Sequence, residues 1–230
     1  MMTNKPMPNN VLKKISLDDV RAALTLSEFD VLAAQGRMAP HPRGKLPQNE
    51  GQPAREAGVL ALIYPEADGE LHIVLTLRTD KQRDHSGQVS FPGGKRDPED
   101  VDFAATALRE TCEEIGVCSG ITILGELSSF YIPPSHFFVH PVVGYTDTRP
   151  AFTPNPDEVA EVFGCALRDL LDEQFRFEEY REFNGYRVRV PYYDICGHKV
   201  WGATAAMLSE LEARLQAALA LRDAVDQVNE

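Results

Sequence analysis

The strongest periodic pattern in the chain lies in the second half of the stretch 89–117, where it predicts an amphipathic α-helix. Apolar or small residues recur there every three or four positions, as in a helix that packs one face against a core. These residues are Ala104, Ala107, Leu108, Thr111 and Ile115. Gly116 directly follows the last of them, and glycine is typical of a helix C-terminus. The stretch therefore predicts a helix with one buried and one polar face.

Short runs of apolar and β-branched residues predict several β-strands. Residues 57–64 and 71–78 flank a turn that contains Gly69, which can adopt a positive φ, and so they predict a hairpin. Pro141 predicts an edge or a bulge in its own strand, because proline cannot donate to a strand ladder. The further strands are expected at 121–127, 137–145 and 158–162.

The Asn184-Gly185 pair predicts a second hairpin, because this dipeptide favours the tight turn between two strands. Its strands are expected at 175–183 and 187–193. Ser16 is placed to cap one short helix, and the polar run 27–30 is placed to cap another. A short helix at 167–171 and a last helix at 201–222, with leucines and alanine at core spacing, complete the pattern. Strands and helices in this order predict an α/β fold, a single α/β/α sandwich with a mixed sheet.

Composition and charge narrow the class of protein. The chain has 230 residues, 43% of them hydrophobic, which suffices for an ordinary core. No apolar run approaches the length that spans a bilayer, and the polar first ten residues do not resemble a signal peptide. We therefore expect a soluble, cytoplasmic protein with no membrane partner. The net charge of −12 argues against nucleic acid as a partner, since phosphate backbones bind basic surfaces.

The four cysteines form no pair with zinc-site spacing. Cys112 and Cys118 bracket the end of the predicted helix, whereas Cys165 and Cys196 lie farther along the chain. Reduced, buried thiols are the interpretation that we favour over a disulfide or a metal site, because a cytoplasmic protein meets a reducing environment.

The polar face of the helix predicted within the stretch 89–117 carries the candidate chemistry. Glu110, Glu113 and Glu114 stand at i, i+3 and i+4, so they share one sector of the helix. Carboxylates this close repel one another unless a cation lies among them, and oxygen ligands suit Mg²⁺ or Mn²⁺. The alternative is an acidic face in contact with solvent. The metal interpretation is favoured because Arg109 precedes the cluster, Gly116 ends the helix and a Pro-Gly-Gly turn leads into it. Arg109 is expected to pair with one of the carboxylates.

A charged loop and a glycine turn lead into this helix. Arg78, Arg83 and His85 lie in or beside the loop 79–92, and arginine is suited to bidentate phosphate binding. For each of them a solvated surface charge is an equally good interpretation. Gly93 and Gly94 permit a tight turn and a close approach to a ligand. The acids between Asp97 and Asp100 suit capping at the helix start, which makes Asp100 structural rather than catalytic.

These residues carry a family resemblance. The run Arg109-Glu110 through Glu113-Glu114 to Gly116-Val117 resembles the second half of the Nudix box, with Thr111 in place of its aliphatic residue. The first half departs from that box. Counted from Gly94, Asp100 stands where the box has glutamate, and the gap from it to Arg109 is one residue longer.

A second motif is similar to the signature of the coenzyme A pyrophosphatase branch of this family. It runs from Leu75 to Thr79 and from Arg83 to Gly94. Later segments continue the resemblance, so that it covers roughly residues 55–215. Those segments are Pro134-Ser135, Pro141 to Gly144, Asn155 to Val159 and Trp201 to Thr204.

The resemblance implies a Nudix-type α/β/α sandwich at residues 55–222, preceded by an extension at 1–54 with short helices and a loop and followed by a polar tail at 223–230. It also implies Mg²⁺- or Mn²⁺-dependent hydrolysis of the phosphoanhydride of coenzyme A or an acyl-CoA. In that case Glu110, Glu113 and Glu114 would be metal ligands, and the loop cations and both glycines would contact substrate. A homodimer is compatible with the sequence.

Alternatives to this assignment remain open. One is a Nudix pyrophosphatase for ADP-ribose or another nucleoside diphosphate derivative, which would share the metal helix. Another is a non-catalytic, nucleotide-binding regulatory module. Glu158 and Glu161 lie outside the box, where an acid can serve Nudix enzymes as general base or extra ligand, but a solvated face is the favoured interpretation for both.

Overall fold

The computed structural model describes residues 14–41, 52–79, 87–183 and 185–229. Arg83 and His85, two of the predicted substrate contacts, lie outside these ranges, as does the N-terminal stretch that precedes residue 14. The predicted contacts Arg78, Gly93 and Gly94 lie within them.

Within the described residues, eight strands form the main sheet. In chain order these are β1 (Arg55–Pro65), β2 (Leu71–Arg78), β3 (Val89–Ser90), β4 (Gly93–Lys95), β5 (Thr122–Glu126), β6 (Phe130–Ile132), β7 (Phe137–Tyr145) and β8 (Val159–Ala166). The central order is β3-β2-β1-β7-β5, with β4 paired to β1, β6 to β7 and β8 to β2. The β1–β7 pair is parallel and the other pairs are antiparallel, so the sheet is mixed, as predicted.

Helices cover both faces of this sheet, which confirms the predicted sandwich. They are α1 (Leu17–Leu24), α2 (Val31–Arg37), α3 (Phe103–Ile115), α4 (Leu167–Leu171) and α5 (Gly202–Asn229). Successive β1 side chains point to opposite faces. Leu60 and Leu62 belong to the apolar cluster that includes Ala107 of α3. Ala61 and Ile63 belong instead to the larger cluster that includes α1 and α5.

The short N-terminal helices begin where the sequence predicts. Ser16 caps α1 in a capping box with Asp19, and Asp30 caps α2 through the backbone N–H of Ala33. The hairpin of β1 and β2 also forms as predicted, with Gly69 at φ 74°. In each case a local hydrogen bond or a local φ requirement decides the structure.

Buried carboxylates attach α2 to α5. Gln35 donates a hydrogen bond to Glu210 over 2.9 Å, and Arg37 lies 3.6 Å from Glu212. Both glutamates are fully buried, and a buried carboxylate loses its favourable hydration free energy. The hydrogen bond and the ion pair from α2 offset part of this loss. Helix α5 continues to Asn229, so residues predicted as a polar tail are helical. The domain limits at residues 54 and 222 stay a prediction. Among the described helices, none is long and apolar enough to cross a membrane.

Pro141 does not mark an edge strand, so the edge half of that prediction is wrong. Strand β7 has β1 on one side and both β5 and β6 on the other. The Pro141 carbonyl accepts a hydrogen bond from Leu127, which connects β5 to β6. The nitrogen and carbonyl of one residue in an extended strand point to the same side. The proline nitrogen therefore faces the break between β5 and β6, where no ladder donor is required.

A second sheet of three strands lies beyond α4 within the described part of the chain. Its strands are β9 (Arg176–Phe183), β10 (Tyr186–Ile195) and β11 (His198–Trp201). The β9–β10 pair is the hairpin predicted from Asn184-Gly185. Strand β11 was not predicted, and Trp201 ends this strand rather than beginning the last helix. Four residues of mixed polarity are too few to show a strand period in the sequence.

Cys112 and Cys118 form a disulfide, so the predicted reduced state is wrong for this pair. Gly116 ends α3 in the left-handed region at φ 75° and reverses the chain. The reversal brings the Cα atoms of the two cysteines to 4.4 Å from each other. Cys165 is a free, buried thiol as predicted, and Cys196 is free but exposed.

The disulfide yields a stability prediction. It closes a loop with a sequence separation of 6, for which loop entropy gives about 2 kcal/mol. We expect Cys118→Ser to lower the melting temperature by roughly 4–8 °C, measured by circular dichroism. Cys196→Ser is the matched control, since its thiol is free. Equal melting temperatures for oxidised wild type and Cys118→Ser would contradict the prediction, whereas dithiothreitol is expected to remove the difference between them.

Candidate active site

Helix α3 begins later than the sequence analysis expected. Asp102 is its N-cap, and its carboxylate accepts a hydrogen bond from Ala105 over 2.7 Å. The acids from Asp97 to Asp100 form a separate turn, in which the Asp97 N–H donates to the Asp100 carboxylate. The expectation that they cap the helix is therefore wrong. The extra turn accounts for the longer spacing between Asp100 and the arginine of α3.

Glu114 is the buried carboxylate of the site, with 3% of its surface exposed. It lies in the last turn of α3 and faces the Gly93–Gly94 turn. The Gly93 N–H donates to one carboxylate oxygen over 3.1 Å, and Arg78 approaches the other to 3.8 Å. Glu114 therefore joins the end of β2, the start of β4 and α3 at one point.

Burial raises the pKa of Glu114 to about 7. The Gly93 hydrogen bond and the Arg78 charge act in the opposite direction. The negative charges of Glu110 and Glu158 raise this pKa further, which places all three carboxylates within electrostatic reach of one another.

Glu110 lies against the second glycine of the turn. A Cβ atom at Gly94 would collide with the Glu110 carboxylate, so a larger residue there would force that carboxylate to move. Burial raises the pKa of Glu110, whereas Arg109 opposes the change. The backbone of the Gly93–Gly94 turn therefore lies against Glu110, and the Gly93 N–H donates a hydrogen bond to Glu114.

Arg109 connects the acids around the helix. Its guanidinium lies 3.0 Å from Asp100, 2.9 Å from Glu110 and 3.3 Å from Glu113. It also donates to the Lys95 carbonyl of β4. The predicted pairing of Arg109 with a carboxylate is confirmed by these distances. Its hydrogen bond is the main reason that the pKa of Asp100 lies well below the usual range.

Glu113 is oriented differently from its two neighbours. Its side chain is 55% exposed and pairs with Arg109 at the surface of the helix. The structure therefore brings Glu110 and Glu114 together under the glycine turn but leaves Glu113 beside them. Its role as a metal ligand stays a prediction.

Glu158 joins the site from outside the helix. It precedes β8, and its charge raises the pKa of both Glu110 and Glu114. From the sequence a solvated face is the favoured interpretation of Glu158, and its position in the motif from Asn155 to Val159 is the signal that could have distinguished it. Glu161, by contrast, pairs with His198 at 3.1 Å, away from these carboxylates.

The donor chemistry fits a divalent cation. Glu110, Glu114 and Glu158 offer carboxylate oxygens, and their mutual repulsion is what a hard cation would relieve. Among the residues that the structure describes, no three acidic, histidine or cysteine side chains are grouped tightly enough to hold a metal ion as they stand. The residues therefore fit such an ion by donor type and charge, and their side chains would have to rotate to bind it.

Known proteins share both the sequence and the architecture. A profile of the NUDIX domain matches residues 54–183. Nudix hydrolase 15, mitochondrial, of Arabidopsis thaliana is 36% identical over 160 residues, 67% of this chain but only 56% of that protein. The uncharacterized Nudix hydrolase NudL of Yersinia pestis is 36% identical over 160 residues, 68% of this chain and 78% of that protein.

A solved structure supports the fold independently. The Nudix hydrolase RenU of M. smegmatis superposes with a TM-score of 0.51 at 17% identity, over 74% of this chain and 88% of that chain. At this identity the likeness bears on architecture alone. The matching NUDIX profile, the two relatives and the glutamates of α3 establish that the chain belongs to the Nudix hydrolase family.

Proposed function

We propose that the protein hydrolyses the phosphoanhydride of coenzyme A or an acyl-CoA. The products are 4′-phosphopantetheine, or its acyl form, and adenosine 3′,5′-bisphosphate. One observation carries the proposal: residues near both ends of the motif at 75–94 contact the same carboxylate. Arg78 and Gly93 both approach Glu114, so the described residues near both ends of the segment similar to coenzyme A pyrophosphatases lie against this carboxylate.

Glu110 and Glu114 are the proposed ligands of the divalent cation, with Glu158 as the third carboxylate beside them. Nudix enzymes generally use divalent metals such as Mg²⁺ or Mn²⁺. Such an ion, when bound, neutralises the diphosphate and activates water. The protein itself holds the carboxylates in a partly buried site. Because Gly94 has no side chain, the turn can lie close to the Glu110 carboxylate.

A carboxylate must also accept the proton of the attacking water. One of the glutamates of α3 or Glu158 would serve, and each lies on an element fixed by the fold. Arg109 is a positioning residue in this proposal, because it holds Glu110 and Glu113 from the outer side of the helix.

The substrate is anionic, whereas the chain carries a net charge of −12. The cation and local guanidinium groups are proposed to compensate for this repulsion. Arg78 is the described cation nearest to Glu114, and the contacts of Arg83 and His85 with the substrate stay predictions. Cytoplasmic localisation and homodimer formation stay predictions as well.

Substrate preference tests the proposal. We expect release of adenosine 3′,5′-bisphosphate from coenzyme A, dependent on Mg²⁺ or Mn²⁺, at a rate well above the cleavage of ADP-ribose and dinucleotides. Products are resolved by mass spectrometry, and EDTA is expected to abolish the reaction. Preferred cleavage of ADP-ribose would refute the coenzyme A assignment and leave the acids of α3 in place. Cleavage of none of these compounds would favour a binding module.

A substitution in the helix tests the role of its carboxylates. Glu114→Gln keeps the shape of the side chain but removes the charge that a cation would contact. We expect turnover to fall by about three orders of magnitude or more, because a ligand of the activating cation is lost. Glu161→Gln is the matched control, since its carboxylate pairs with His198 instead. Near-normal turnover of a folded Glu114→Gln variant would refute the metal assignment.

A further inference from the structure

The loop 153–158 is bonded to the C-terminus of the catalytic helix. The N–H of Thr153 donates to the Ile115 carbonyl over 2.8 Å, and the N–H of Asn155 donates to the Glu114 carbonyl over the same distance. Carbonyl groups in the last turn of a helix have no partner within the helix itself. The loop supplies these partners and is thereby held at a fixed distance from Glu114.

The Asn155 side chain then reaches in the other direction, to Glu158. Its amide oxygen accepts from the Asp157 N–H over 3.2 Å, and its amide nitrogen donates to the Glu158 carboxylate over 3.2 Å. Since a backbone N–H can only donate, the oxygen of the amide must face Asp157. The amide nitrogen must therefore face Glu158, which fixes the direction of this hydrogen bond.

The backbone on the far side of the loop is held by the end of the second strand. Thr79 donates its N–H to the Glu158 carbonyl and its hydroxyl to the Asp157 carbonyl, each over 3.0 Å. The Asn155 carbonyl accepts from the Glu158 N–H over 3.0 Å. These bonds fix where the main chain of residue 158 lies. They do not fix the direction of its carboxylate, which accepts a hydrogen bond from the Asn155 amide within the described part of the chain.

We propose that Asn155 is a positioning residue that keeps the Glu158 carboxylate turned toward Glu110 and Glu114. The inference rests on the proposed function, since it concerns the same acidic site. Glu158 is half-buried, and two like charges drive its carboxylate toward solvent. A hydrogen bond from a donor that is itself bonded to the helix opposes that rotation. Asn155 thus sets the position of the Glu158 carboxylate relative to Glu110 and Glu114 of α3.

An isosteric substitution removes this hydrogen bond. Asn155→Asp retains the oxygen that Asp157 needs and the backbone N–H that Glu114 needs, but it replaces the donor to Glu158 with a carboxylate. We expect kcat to fall by roughly 10- to 100-fold, the range of a lost charge-assisted hydrogen bond, with KM little changed. Gln174→Glu is the matched control, because it also places an acid against an acceptor, Asp172, at an exposed and distant position. Its kcat is expected to equal that of wild type.

A double substitution separates positioning from general stability. In Asn155→Asp with Glu158→Gln, the new amide at 158 can donate to the new carboxylate at 155. We expect the melting temperature without metal to return toward that of wild type, while turnover stays at the level of Glu158→Gln alone. The effect of Asn155→Asp on kcat should therefore vanish in the Glu158→Gln background, which is the non-additivity of residues acting through one contact.

Three results would overturn the inference. They are wild-type kcat in Asn155→Asp, additive losses of kcat in the double variant, and turnover that returns together with the melting temperature. Wild-type protein that cleaves none of the diphosphate substrates would refute the proposed function instead. In that case the melting temperatures still decide whether Asn155 and Glu158 are coupled, and an absence of coupling would overturn the inference as well.

Discussion

The burial of Glu114 is the constraint on which the site depends. A carboxylate with 3% of its surface exposed loses its hydration and must be compensated by partners. The structure supplies a backbone donor from Gly93 and a guanidinium from Arg78. These partners come from different elements, so the glycine turn and the end of β2 must both lie against α3. The compensation is incomplete, since the pKa of Glu114 stays near 7. A bound cation would supply the remainder.

The main sheet and the connecting loops together place the glycine turn and the end of β2 against α3. Strand β4 pairs with β1 and presents its glycines to the helix, while β1 and β7 form the platform on which α3 packs. Arg109 ties the outer side of α3 to β4 through the Lys95 carbonyl. The loop at 153–158 ties the C-terminus of α3 to β8. The side chains of the candidate site, which are far apart in sequence, thus meet because each is attached to a different end or side of one helix.

Local sequence signals were sufficient for much of this fold. Glycine turns, Asn-Gly and helix caps act over a few residues, and so the two hairpins, α1, α2 and α3 could be predicted. The failures at Pro141, Cys112–Cys118 and the start of α3 share a different cause. A break between neighbouring strands decided the structure at Pro141, a chain reversal joined the two cysteines, and a competing turn delayed the start of α3. None of these features is visible in the periodicity of the residues. The position of Glu158 beside the acids of α3 was missed for a similar reason. It depends on a loop that is hydrogen-bonded to a helix about 40 residues earlier in the chain.

Anomalous diffraction from crystals soaked in MnCl₂ tests the central claim most directly. If the buried acids of α3 form the metal site, a manganese peak will lie roughly 2.0–2.5 Å from carboxylate oxygens of both Glu110 and Glu114. Crystals of the Glu114→Gln variant, soaked in the same way, will lack it. A peak bound elsewhere, or one that persists unchanged in the variant, would contradict the claim that Glu114 is buried in order to hold a cation.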